Sequence, residues 1–510
     1  MNINIAFRFV LATVTMLCVY CTAFGAAQTH YTEGRLATTQ ADKARLIIFA
    51  DMGWDPDEEQ QMTHMLMCSN EFELEGLITV TGRFLRKNPP QEVKTLKPQL
   101  FHKLIDGYAE VYPNLLKHAE GWHTSDYLHS IVATGQPGNG MADVGKGKSS
   151  PGSRLVTAAL LKDDPRPVHI VVNAGSNTLA QALFDYRASH TEAEVKAFVS
   201  KLQVFENSAQ DVAGAWILHE FPDIHWIRSV SQTQAYGGPR KPTGPHTWKP
   251  FPNTTAGQDA WVAENIRHNH GPLGALFPKR QFGEYNFAYM EGGGTIPWMG
   301  LVARGLGDWS EPSWGGWSGR YTCERVKNVP SKYSIIRPDE EKYRPWSAYT
   351  DHSGIQDSWK DPTDGKVYES VYAGIWRWRA AMWNDFKARA DWCVKSYDGA
   401  NHHPNAVING DTSDAIIKKT VHAGDSLSFN ASASTDPDKD ELRYYWWIYH
   451  EAGRKPYGKA FPIKNNNASE INLTIPADAA GKELHLILEV WDQSKIVPLV
   501  DYRRIVLIVK

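Results

Sequence analysis

The chain is poor in cysteine, with five in 510 residues: Cys18, Cys21, Cys68, Cys323 and Cys393. So few exclude a fold stapled by several disulfides. The last three are too far apart in sequence to make a zinc pattern. Charge of either sign is not in excess either. Against 54 Lys and Arg stand 57 Asp and Glu, a formal net charge of -3, so nothing in the net charge attracts a nucleic acid. Beyond the N-terminus no apolar run approaches the ~20 residues of a membrane-spanning helix, so no membrane insertion is expected. Repeats of 20 to 50 residues and low-complexity tracts are missing too, which argues against a solenoid. No Ser-His-Asp or Cys-His arrangement has a recognisable motif context.

What is there begins with "MNINIAFRFVLATVTMLCVYCTAFGAAQ". One early positive charge, Arg8, precedes an apolar stretch from Phe9 to Tyr20 and the small residues Gly25, Ala26 and Ala27. Residues 1–27 read as a signal peptide, and the mature protein is expected to be secreted or periplasmic. Cys18 and Cys21 leave with it, and so does the only charge in 1–26, which takes the net charge to about -4. With 42% hydrophobic and 22% charged residues, the rest is globular material for two or three domains. Tryptophan is abundant, at 19 residues. Such rings stack on sugar faces, but large aromatics more often fill cores.

Up to about residue 230 near-continuous apolar runs alternate with helical stretches. "RLIIFAD" (45–51), "LEGLITVTG" (74–82), "VHIVVNAG" (168–175) and "IHWIRSV" (224–230) read as strands buried on both faces of a parallel sheet. Helices are expected over 57–69, 153–162, 177–189 and 211–221. The pattern predicts a doubly wound, mostly parallel α/β domain over residues 28–400. The stretch 231–375, rich in Gly, Pro and Trp, reads as long loops over the sheet edge, and 376–394 as a helix. After a boundary near 400–405, where His402 and His403 read as linker residues, short strand-like runs predict a small immunoglobulin-like β-sandwich over 405–510.

In "FADMGWDPDEEQ" (49–60) five carboxylates crowd behind the first strand: Asp51, Asp55, Asp57, Glu58 and Glu59. Like charges that close raise one another's pKa unless a cation sits among them, which points to a hard metal ion. An acidic helix start accounts for 57–59 but not for Asp51 and Asp55. In an open α/β sheet ligands bind beyond the carboxyl ends of the strands, where Asp51, Thr81 and Asn173 fall.

The set "DMGWDPDEEQ", "NAGSNTLAQAL", "HGPLGALFP", "MEGGGTIPWMGLV", "WGGWSGRY", "WRWRAAMWNDFKARADW" and "DPDKDELRYYWW…HLILEVWD" resembles, in this order, a secreted cellulose-binding family with a nucleoside-hydrolase-like domain and a C-terminal β-sandwich. The resemblance implies kinship with calcium-dependent nucleoside hydrolases and hence a Ca²⁺ cofactor. Asp51 matches the first Asp of the hydrolase motif, Gly53 its turn glycine and Asp55 the next Asp. Pro56 stands where the hydrolases have another Asp, so either the turn is one residue longer and Asp57 serves, or a ligand is lost. In "NAGSNTLAQAL" Asn177 and Thr178 compete to supply a carbonyl to the metal and a side chain to the substrate. Asp385 in "WNDF" takes the late Asp of the metal shell, although no His precedes it. Glu291 in "MEGGG" sits on a sugar hydroxyl or faces water from a Gly-rich loop, and Asn173 is placed beside the substrate.

The chemistry these residues imply is hydrolysis of an N-ribosyl or glycosidic bond, with Asp51 and Asp55 catalytic. The alternative is a non-catalytic polysaccharide-binding protein with a degenerate hydrolase-like domain. Expected partners are a carbohydrate or nucleoside-like small molecule and an insoluble polysaccharide. In the sandwich, Asp436, Asp438 and Asp440 alternate as in a calcium loop, or as in an ordinary solvated turn. The run "YYWWIY" sets Tyr445, Trp447 and Tyr449 on one face of a strand and Tyr444, Trp446 and Ile448 on the other, one face for the core and one free to stack on sugar.

Overall fold

The computed structural model describes residues 43–53, 56–82, 96–236, 255–279, 281–282, 285–286, 293–329, 340–352, 354–362 and 365–510. The expected signal peptide, Asp55 and Glu291 lie outside the described residues. Eight strands form the main sheet: β1 (Ala44–Ala50), β2 (Phe72–Thr79), β3 (Val132–Thr134), β4 (Val168–Val172), β5 (Leu202–Asn207), β6 (His225–Ser229), β7 (Val326–Lys327) and β8 (Ser347–Thr350). Their order is β3-β2-β1-β4-β5-β6-β8-β7, parallel throughout except for β7, which runs antiparallel at the edge. This is the expected mostly parallel α/β sheet. The order reverses between β1 and β4, and at that switch point the loops after neighbouring strands part to leave a crevice.

Both faces of the sheet are covered, which is why its central strands are largely apolar. Leu46, Ile48 and Leu74 point to the layer holding α1 (Asp57–Met67), α2 (Pro98–Leu115) and α7 (Arg379–Trp392). Ile47, Phe49 and Ile78 point to the layer of α3 (Pro151–Leu161), α4 (Asn177–Arg187), α5 (Glu192–Ser200) and α6 (Ala213–Glu220). The sequence reading missed β3, β5, α2 and α5. It also took 231–375 wholly as loop, whereas Ser347–Thr350 pairs with β6 and extends the sheet. A four-residue strand is stabilised by the neighbour it pairs with, not by a local pattern of its own.

The C-terminal unit is a sandwich. One sheet has the order β11-β16-β15-β13, from Ile417–Val421, Val500–Val509, Glu483–Asp492 and Leu442–Ile448; the other pairs β12 (Ser426–Asn430) with β14 (Glu470–Thr474). A hairpin in the α/β domain, β9 (Asp357–Lys360) and β10 (Val367–Ser370), precedes them. Trp446, Ile448, Leu486, Leu488, Ile505 and Leu507 fill the space between the two sandwich sheets. The opposite face of the larger sheet packs on the α/β domain: Tyr449, Ile487, Val500 and Tyr502 join the core of Trp317 and Trp378.

Charge secures this junction. Arg504, fully buried, donates to the carbonyls of Leu306, Trp314 (2.8 Å) and Gly315 (2.9 Å) and reaches His485 Nδ1 at 2.9 Å. Asp357 receives Arg320 at 2.6 Å, Arg377 at 3.2 Å and the Tyr449 hydroxyl. His402 and His403 are buried hydrogen-bonding groups: His402 Nδ1 pairs with Asp438 at 2.9 Å and His403 Nε2 with Asp385 at 2.8 Å. Replacing Arg504 by Leu strips three buried carbonyls of their donor. We expect a loss of about 3 kcal/mol and, in calorimetry, separate melting of the sandwich and the α/β domain in place of one transition.

Candidate functional site at the end of β1

β1 ends at Ala50, and Asp51 follows with its side chain 5% exposed. The chain turns through Gly53, whose φ of +85° suits glycine, and Pro56 caps α1 with φ -83°. Asp57 and Glu58 therefore occupy the first turn of α1, where the unpaired amides favour negative charge. Glu58 is only 4% exposed and turns back toward Asp51. Burial, and then repulsion by Asp57, pushes the Asp51 carboxyl up to about 7. Burial with the charges of Asp51 and Asp57 pushes Glu58 well above the usual carboxylate range.

Two amides complete the cluster. Gln61, one turn along α1, donates to Glu58 Oε2 through Nε2, and its Oε1 accepts from Trp298 Nε1 at 3.3 Å. Asn173, fully buried just beyond β4, donates to the same Glu58 oxygen at 3.5 Å, while its own Oδ1 has no partner among the described residues. The walls are tight: a Cβ at Gly82 would stand 2.5 Å from Asp51 Oδ2, and one at Gly294 2.4 Å from Gln61 Nε2. Asp51 and Asn173 thus come from the two strands that flank the switch point.

The remaining expected residues are engaged elsewhere. Asn177 Nδ2 donates to the Gly138 carbonyl at 2.7 Å, and its backbone N–H reaches Asp211 Oδ2 at 3.3 Å. Thr178 Oγ1 accepts from Gln136 N at 3.0 Å, and as the second residue of α4 it gives its carbonyl to the helix. Both residues fasten the 135–140 loop over the end of β2. Asp385 is likewise taken up: Arg389 Nε lies 2.9 and 3.0 Å from its two oxygens and His403 at 2.8 Å. Burial would raise its pKa, but Arg389 and His403 hold the carboxyl well below the usual range. Its neighbours His64 and Cys68, within 4.8 Å, lie toward the far end of α1 from Glu58. Sequence reasoning passed over Glu58 as part of a helix start, and Gln61 altogether. Their three-residue spacing, which puts both on one helix face, was the signal.

Asp51, Asp57, Glu58 and the unpartnered Asn173 Oδ1 are all oxygen donors, a set that fits a hard cation of the calcium class. The same burial without a cation leaves like charges to be relieved only by protons.

The comparisons agree with this fold. Residues 45–321 match the family described as cellulose-binding Sde182, nucleoside hydrolase-like domain, and residues 426–509 the C-terminal domain of cellulose-binding protein Sde0182. The chain belongs to this family. A solved nucleoside hydrolase-related protein from Saccharophagus degradans, associated with carbohydrate metabolism, is 36% identical over 92% of this chain and 100% of that one, with a TM-score of 0.75. An endo-β-1,4-mannanase from Thermotoga petrophila, 12% identical over 92% of this chain and 98% of that one, has a TM-score of 0.13 and carries no argument. No curated protein matches.

With metal chelated, Asp51 binds its proton more tightly folded than unfolded, so its contribution to stability improves as pH falls through about 7 toward 4. Glu58→Gln should raise the melting temperature of chelated protein at pH 8 and flatten that pH dependence. A pH dependence unchanged by the substitution would count against the coupling.

Proposed function

We propose that this protein is an exported hydrolase of an N-ribosyl or glycosidic bond, that it holds Ca²⁺ with Asp51, Asp57 and Glu58, and that it associates with cellulose. The observation that carries the reading is the buried carboxylate cluster at the switch point of a nucleoside hydrolase-like domain. When bound, the cation would supply charge that lowers the pKa of a water and orients a sugar diol. Asp51, at the end of β1 beside Glu58, is the carboxylate placed to take that water's proton. Gln61 and Asn173 hold the Glu58 carboxylate in place, and the Gly294 segment with Trp298 closes the cluster against water.

One observation favours a second reading, a binding protein whose hydrolase-like domain has changed its chemistry. Pro56 serves as the cap of α1 and Asp385 is paired with Arg389, so two positions of the hydrolase pattern carry no free carboxylate.

Calorimetry of the mature chain should find about one Ca²⁺, bound more weakly at pH 6 than at pH 8 because a proton competes for Asp51. Asp51→Asn should weaken it about tenfold or more, some 1.4 kcal/mol per decade, and cut kcat on a nucleoside or soluble glycoside by about 10²–10⁴. If the intact chain with Ca²⁺ turns over no nucleoside or glycoside, the second reading stands. Export would be checked by sequencing the N-terminus of secreted material, expected near residues 26–28.

A further inference from the structure

The outer face of β13 carries Arg443, Tyr445 and Trp447, with Tyr449 just beyond its end, and their burial is graded. Tyr449 is fully buried at the domain junction. Trp447 packs on Trp378, ring centroids 5.7 Å apart, with the Arg377 guanidinium 5.2 Å from its ring. Tyr445 is 45% exposed, the one exposed Phe, Tyr or Trp among the described residues. Across the ladder Arg443 faces Trp491 and Tyr445 faces Glu489. The two oxygens of Glu489 accept the indole N–H groups of Trp447 (2.9 Å) and Trp491 (2.8 Å), so one carboxylate fixes both rings. Arg443 lies 5.9 Å from the Trp491 ring.

We propose that the ledge of Tyr445, Trp491 and Arg443 is where this protein binds a cellulose chain. The inference rests on the polysaccharide part of the function proposed above. A β-1,4-glucan carries its hydroxyls at the ring edge and leaves flat C–H faces, which suit stacking on an aromatic ring. The Trp491 ring, already held by Glu489, loses little rotamer freedom on binding, so more of its contact energy appears as affinity. The Arg443 guanidinium and the Tyr445 hydroxyl stand at the rim as donors to sugar hydroxyls. A single arginine beside a carboxylate suits an uncharged polymer better than a phosphorylated one. The position fits as well. β13 is the outer strand of its sheet, so an insoluble surface can reach the ledge, whereas the Asp51 cluster is buried.

The test is depletion of the full mature chain from solution by microcrystalline cellulose. Tyr445→Ala should weaken retention roughly tenfold, Tyr445→Phe should keep most of it, and Trp491→Ala should lower it further. Thr474→Ala, exposed on the other sandwich sheet, should bind as wild type. Trp491→Ala also takes one donor from Glu489, so Tyr445→Ala, with an unchanged melting temperature, is the variant that decides. Wild-type retention with both alanine variants held equally well would overturn the ledge while leaving polysaccharide binding in place. A wild type that is not retained would overturn both. Absence of turnover would sink only the hydrolase reading.

Discussion

Two carboxylates buried side by side, Asp51 and Glu58, set the terms for everything around the end of β1. Like charges out of water are costly unless something of opposite sign faces them. The surroundings answer that demand in several ways at once. The first turn of α1 presents its unpaired amides, Gln61 and Asn173 donate to Glu58, and a proton or a hard cation completes the balance. The crowding of glycine-containing segments about the cluster follows from the same need, since only backbone without a Cβ fits so close to Asp51 and Gln61.

The second organising feature is the layer that the sandwich adds. Its larger sheet is buried on both faces, one against its partner sheet and one against the α/β domain, so β15 and β16 are buried along most of their length, charged residues included. Arg504 and Asp357 carry charge into that interface and are satisfied there, which ties the relative position of the domains to specific hydrogen bonds. Most of the abundant tryptophan belongs to these cores: Trp226, Trp298, Trp317, Trp378, Trp383 and Trp446 are fully buried. Where β13 runs out from the junction, Tyr445 meets solvent.

The carboxylates with opposite fates show how local sequence and tertiary context divide the work. Asp51 and Asp385 are both aspartates in motifs that resemble metal ligands. Among the described residues one meets Glu58 and Asp57; the other meets Arg389 and His403. Arg389, one helix turn beyond Asp385, is a local signal that separates the two, whereas His403 and the turning of Glu58 toward Asp51 are set by how the elements pack.

Periodicity, apolar runs and turn residues were enough to read an α/β domain followed by a sandwich, the strands β1, β2, β4 and β6, and the placing of Asp51 and Asn173 at strand ends. These are consequences of nearest-neighbour chemistry: a strand buried on both faces must be apolar, and a loop must carry residues that tolerate its bends. The strand order that sets β1 beside β4, the short strands that survive only by pairing, the turning of Glu58 into the cluster and the commitment of Asn177, Thr178 and Asp385 to other partners were decided by the tertiary structure. Apart from the local pairs Asp385–Arg389 and Glu58–Gln61, these depend on groups far apart in the chain, and the energy of a buried charge is fixed by what surrounds it in space.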